Sequence, residues 1–510
     1  MRRLVVCFSL ALPLSLAACG TTVPRTQTAT SQSGLGAGAS LSPGQSGGGA
    51  AGSGNALSTS GTSGALIGPG SLGGPAQSGT SDAGGAAAAS NSSSTGVPGV
   101  PVQARGVTAS TIAIGTALAT GADSVTSAYG VSGGGTVAES DIWHAVITDV
   151  NKSGGVLGRK LVLYIHNFDA AKYIAYPSQT YGEICADFRD DHKVFAALAY
   201  LSDPSLRDCF AKMGSPMVVV DAGVLTMMPA AAYAEHGGNF LFGPSSITNE
   251  RLAQLFIPSL LDRSFTEPWN TTTGGPGGAA PVRLGVIHVD TPDANHLYAQ
   301  YAKELAKHGL KFNDTVTYAQ RADAALAATQ SAVLKFHSDG ITHVFGASSF
   351  FMKDAENQGY RPRYAYQPGF GEVGADNAPA VQMKGALTVG WLPTTDVPSS
   401  KDPGDTPGGR RCRATMKAAG LASANRTDLA TMYSICDAVY AFRAALAASH
   451  TASVSGLRVG FEALGTTLTT ASTFAARLGP NRHSGVDSVR DMGFDSACPC
   501  LMYTSKTNRS

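Results

Sequence analysis

Asp221, Asp293, Ser202 and Ser348 each stand just past a short apolar run of strand length, and Tyr129 lies in a Gly/Ser/Ala-rich stretch after another. In an open parallel sheet, ligands sit outside the carboxyl ends of the strands, where loops meet helix N-termini. Backbone N–H groups and the helix dipole there suit a carboxylate or another electron-rich group. An aspartate adds the opposite preference: it pairs with an ammonium or accepts from hydroxyls. The loops concerned are 119–130, 201–205 and 221–224, then 290–295, 346–349 and 367–372. Ser202, Tyr129 and the two aspartates also have a plain alternative. Ser202 caps the following helix, Tyr129 stacks on the surface, and the two aspartates are solvated loop caps.

Signals for turnover are absent from the sequence. No serine stands in GxSxG; Gly346-Ala347-Ser348-Ser349 lacks the last glycine. His236-Gly237-Gly238 resembles an oxyanion loop but has no nucleophile elbow to serve. HExxH, the P-loop and a strand-flanked GxGxxG are missing too, and the 11 histidines are scattered. No cofactor or metal is implied. A formal charge of +1 with 14% charged residues gives no basic stripe, so nucleic acid is not an expected partner.

Elements that would position such loops are legible. Ile142, Trp143, Val146, Ile147 and Val150 recur at the spacing of one buried helix face. Gly154-Gly155 ends that helix, and 161–165 is an apolar strand. With 111–115 upstream this makes a βαβ unit. The same grammar returns at 282–289 (strand), 290–295 (loop), 297–308 (helix), 311–318 (strand), 322–337 (helix) and 342–346 (strand).

The segment VNKSGGVLGRKLVLYIHNFD (150–169) resembles the INAxGGxxGRxxxxxxxD signature of type I periplasmic binding proteins, in particular the branched-chain amino acid and amide receptors that serve ABC importers. FMKDAENQGYRPRYAYQPG (351–369), GALTVGWLP (385–393) and MYSICDAVYAF (432–442) extend the resemblance over nearly all the globular chain. It implies an α/β fold of two lobes, each a parallel sheet flanked by helices, with three crossovers and a ligand cleft between lobes. It implies binding without catalysis, a small-molecule ligand and permease partners, in a monomer. It places Ser202 where the family offers a serine to the ligand carboxylate, and Tyr129 where it often presents an aromatic. Two departures stand out. Asp221-Ala222-Gly223 replaces the usual small hydroxylic residue, and Asp293-Ala294 replaces Tyr-Gly, which puts a branched-chain amino acid itself in doubt.

Residues 1–18 read as a signal peptide: Arg2-Arg3, an apolar stretch, and Leu16-Ala17-Ala18 before Cys19. Leu16-Ala17-Ala18-Cys19 resembles a lipobox, which implies a lipid on Cys19 and an extracytoplasmic chain on the cell membrane. Residues 19–105 are too polar and glycine-rich to offset chain entropy, and are expected as a disordered tether. The roughly 400 residues that follow exceed one core. They divide as 106–243 plus 371–475 in lobe 1, and 244–370 plus 476–503 in lobe 2. Residues 264–280 read as a surface insertion. Of the cysteines, Cys185 with Cys209 and Cys412 with Cys436 are expected disulfides. Cys498 and Cys500 close a small ring, pair elsewhere or bind metal. A ligand sensor, a degenerate receptor acting as an envelope scaffold, and an envelope hydrolase are the competing functions.

Overall fold

The computed structural model describes residues 104–121, 135–199, 204–219, 227–233, 241–270, 281–319, 322–366, 378–393 and 406–510, with Gly275, Gly277 and Pro368. The signal segment, Cys19 and the tether lie outside the described residues. The opening unit is β1 (Thr111–Thr120), α1 (Glu139–Lys152) and β2 (Lys160–Asp169), with β1 and β2 parallel over all ten positions. The predicted apolar stripe of α1, Trp143 included, is buried. Gly154 and Gly155 have φ of +90° and +71°, and a Cβ on Gly155 would lie 2.0 Å from the Arg159 carbonyl oxygen. Only glycine permits that turn.

After α2 (Ala170–Ala175) and α3 (Pro177–Ala186), the chain lays down β3 (Ala196–Ala199), α4 (Pro204–Met213), β4 (Met217–Val219) and β5 (Leu241–Phe242). The first sheet is parallel, in the order β2-β1-β3-β4-β5. The second lobe opens with α5 (Asn249–Asp262), β6 (Leu284–Val289), α6 (Pro292–Ala306), β7 (Phe312–Tyr318) and α7 (Ala322–Ser338). It continues through β8 (His343–Phe345), α8 (Ser349–Asn357), β9 (Arg363–Ala365), α9 (Ala380–Met383) and β10 (Leu387–Gly390). The chain then adds α10 (Pro407–Ala418), α11 (Arg426–Ser449) and α12 (Val454–Leu464) to the first lobe, where they bury apolar residues against α1 and the first sheet. It closes the second sheet with β11 (Arg490–Asp495) and β12 (Cys500–Tyr503), in the order β12-β11-β10-β9-β8-β6-β7.

Three expectations need correction. β10 belongs to the second sheet, not to the first lobe with 371–475: it pairs parallel to β9 and antiparallel to β11. The return to the first lobe therefore comes after Leu392. Ala476 and Leu478, expected in lobe 2, pack in the first lobe's core. The start of the 264–280 insertion is anchored: Phe265 and Trp269 are buried, and Trp269 Nε1 donates to the Arg361 carbonyl at 2.9 Å. Cys185–Cys209 and Cys412–Cys436 are bonded, and Cys498 is joined to Cys500.

The segments that cross between lobes run side by side. Gly243 N donates to the His483 carbonyl at 2.9 Å, and Gly485 N returns a bond to Gly243 O at 2.8 Å. Phe474 N donates to Trp391 O at 3.2 Å. Asp437 of α11 gathers them, accepting from Ser245 Oγ (2.9 Å), Ala471 N (2.5 Å) and Ser472 N (2.8 Å). Burial pushes its carboxyl up to about 6, although these donors favour the charged form. A raised native value means the folded chain holds the proton where the unfolded chain, near 3.9, has lost it. Asp437 thus contributes stability below about pH 4 that is lost as pH rises to about 6. We expect wild-type stability in urea to fall more steeply across that window than that of Asp437→Asn. Parallel pH profiles for the two proteins would contradict this.

Candidate functional site

Strand order fixes where a ligand can enter. In the first sheet the order reverses at β1/β3, and in the second at β6/β8. The crevices outside the carboxyl ends of these strand pairs are the topological switch points. The segments after β1 and β3 carry Tyr129 and Ser202; those after β6 and β8 carry Asp293 and Ser348. Asp221, Ala222 and Gly223 follow β4, one strand further out. Tyr129, Ser202, Asp221, Ala222 and Gly223 lie outside the described residues, so the structure places only the second-lobe pair.

Asp293 is not in a loop. Thr291 caps α6 through Ala294 N, Pro292 presets the first φ, and Asp293 is the second helical residue. The predicted loop 290–295 was one turn too long because Pro292 starts a helix rather than prolonging a turn. The Asp293 carboxylate reaches Arg207 of α4 at 3.2 Å, so the pair joins the two lobes. Arg207 Nη1 also lies 2.9 Å from Met228 Sδ. Beside them, Asn249 Nδ2 donates to the Asp293 carbonyl at 2.9 Å, while its own Oδ1 is buried without a partner among the described residues. The adjacent Glu250 accepts from Ala230 N at 3.0 Å and from His296 at 2.7 Å. Both switch points thus meet along a polar seam.

Ser348 caps α8, its Oγ accepting from Phe351 N at 3.3 Å. Its hydroxyl proton remains a donor for a second group. Gly346, two residues earlier, has φ +74°, and a Cβ there would lie 2.1 Å from the Ile287 carbonyl oxygen. Behind this turn His288 stacks on Tyr298 at 4.4 Å between centroids. Burial lowers the pKa of His288 and raises that of Tyr298, which keeps both neutral.

Two contributors escaped the sequence reading. Asp428, at the start of α11, fixes the exit of the segment after β1: it accepts from Thr136 N and Oγ1 (2.5 and 2.7 Å), Val137 N (3.1 Å) and Ala424 N (2.8 Å). Arg207 is the other. It stands within the first four residues of α4, where a cation opposes the helix dipole. That local mismatch is the signal that could have found it.

The chain has the two-lobed fold of type I periplasmic binding proteins. An ABC-transporter substrate-binding protein from Desulfitobacterium hafniense, solved with leucine, superposes with a TM-score of 0.50 at 16% identity, covering 77% of this chain and 99% of that one. A branched-chain amino acid ABC-transporter protein from Thermus thermophilus with bound valine gives 0.52 at 14%, covering 79% and 96%. A fatty acid ABC-transporter substrate-binding protein from Thermomonospora curvata gives 0.53 at 12%, covering 79% and 94%. No protein-family model matches the chain, and no curated protein matches it in sequence.

The cap role of Ser348 is directly measurable. Ser348→Ala should lower stability by about 1 kcal/mol in urea unfolding, while Ser348→Asp retains it. An unchanged Ser348→Ala midpoint would remove Ser348 from the framework of the turn.

Proposed function

We propose that this chain is an extracytoplasmic solute receptor, anchored to the membrane by a lipid on Cys19. It captures a small polar ligand between its lobes by hinge closure and presents it to the permease subunits of an ABC importer. The observation that carries this reading is the meeting of two switch points across lobes joined by side-by-side crossing segments. Tyr129, Ser202, Asp221, Ala222 and Gly223 serve the ligand from the first lobe, and Asp293 and Ser348 from the second. Leucine, valine and fatty acids, named for the three structural neighbours, share a carboxylate, and small carboxylates head the candidates here. Binding without turnover fits Ser348, whose Oγ serves a helix N-terminus and meets no base among the described residues. One observation favours a second reading, that of an envelope scaffold. Arg207 already neutralises Asp293 and ties the lobes together.

Thermal shift of the intact protein separates the two. The panel holds branched-chain and basic amino acids, short amides and urea, sugars and polyols, and aromatic and fatty acids. A ligand at 100 times its dissociation constant stabilises the folded state by about 2.7 kcal/mol, enough to raise the melting point by several degrees. We expect one class to do so and, where its members carry an ammonium or hydroxyl donor, Asp221→Ala or Asp293→Ala to diminish the shift. A folded, monodisperse protein indifferent to the whole panel would favour the scaffold.

A further inference from the structure

The Arg207–Asp293 pair has a geometry that a purely structural bridge does not require. Arg207 follows β3 and Asp293 follows β6, so each sits at its own lobe's switch point. Their side chains are 13% and 26% exposed, and neither charge is favourable there without an opposite one. The contact runs through Nη1 at 3.2 Å, longer than the 2.7–2.9 Å of a strong charge-assisted bond. A carboxylate that is not tethered to a helix can approach the guanidinium in its own plane and shorten that bond. The N-terminus of the ten-residue α4 favours the same negative charge. On the Asp293 side, the Asn249 amide that holds the Asp293 carbonyl leaves its fully buried Oδ1 without a donor among the described residues. A buried acceptor without a donor among the described residues points to a donor supplied by a ligand.

Resting on the receptor reading above, we propose that Arg207 is the specificity-determining residue for carboxylate ligands, and that Asp293 occupies its place until the ligand arrives. Binding exchanges one carboxylate for another on Arg207. Asp293 and Asn249 Oδ1 then face the donor end of the ligand. The exchange makes the two partners unequal. Loss of Arg207 removes the carboxylate's counter-ion, whereas loss of the Asp293 charge removes its competitor.

Calorimetric titration of the full chain with L-leucine, L-leucinamide and 4-methylpentanoate reads this asymmetry. Wild-type protein should bind the two acids and discriminate against the amide at least tenfold. Arg207→Gln should weaken both acids at least tenfold, and Asp293→Asn should tighten 4-methylpentanoate, which brings no ammonium, several-fold. If Arg207→Gln does not fold, Arg207→Lys keeps the charge and should retain acid-over-amide selectivity at reduced affinity. A structural clasp would make Arg207→Gln and Asp293→Asn weaken 4-methylpentanoate alike. That result overturns the inference and leaves the receptor reading standing, as does undiminished acid binding by Arg207→Gln. Wild-type protein that binds no acid but does bind another class of the wider panel overturns the inference alone, and protein that binds nothing on the panel overturns both.

Discussion

The relation between the lobes depends on one buried carboxylate. Asp437 accepts from Ser245 in the first crossing segment and from Ala471 and Ser472 ahead of the last. Removing it would leave buried N–H groups without acceptors, at a cost of about 1–3 kcal/mol each. Because α11 carries the carboxylate, the crossing segments are referenced to the longest helix packed on the first sheet.

A second buried carboxylate on the same helix does related work nearer the cleft. Asp428 holds Thr136 and Val137 where the chain returns from the segment after β1. The crossing segments and one bank of the cleft are thus both fixed from α11, at positions 437 and 428.

Much of this was legible from local pattern. The buried stripe of α1, the paired glycines after it and the strands β1 and β2 follow from periodicity and from the φ values glycine alone tolerates. The cysteines of α3 and α4 and those of α10 and α11 lay on elements the pattern already made neighbours. What escaped depends on distant contacts. The short Leu-Thr-Val-Gly run of β10 suits either sheet, and only pairing with β9 and β11 assigns it. Asp293 looked like a loop residue because Pro292 reads equally well as a turn or as a helix start. Arg207 carried its signal in an unfavourable position, a cation at a positive helix end, whose compensation lies 86 residues away in the other lobe.

Each of the three disulfides closes within a single lobe: Cys185–Cys209 and Cys412–Cys436 in the first, Cys498–Cys500 in the second. Covalent cross-linking thus stiffens the parts and leaves their relative motion untouched. Oxidation can secure each lobe without bonding it to the other. It also makes the molecule a natural strain gauge. A pair of fluorophores, one on each lobe, would report displacement at the crossing segments with little contribution from deformation of the bodies that carry them.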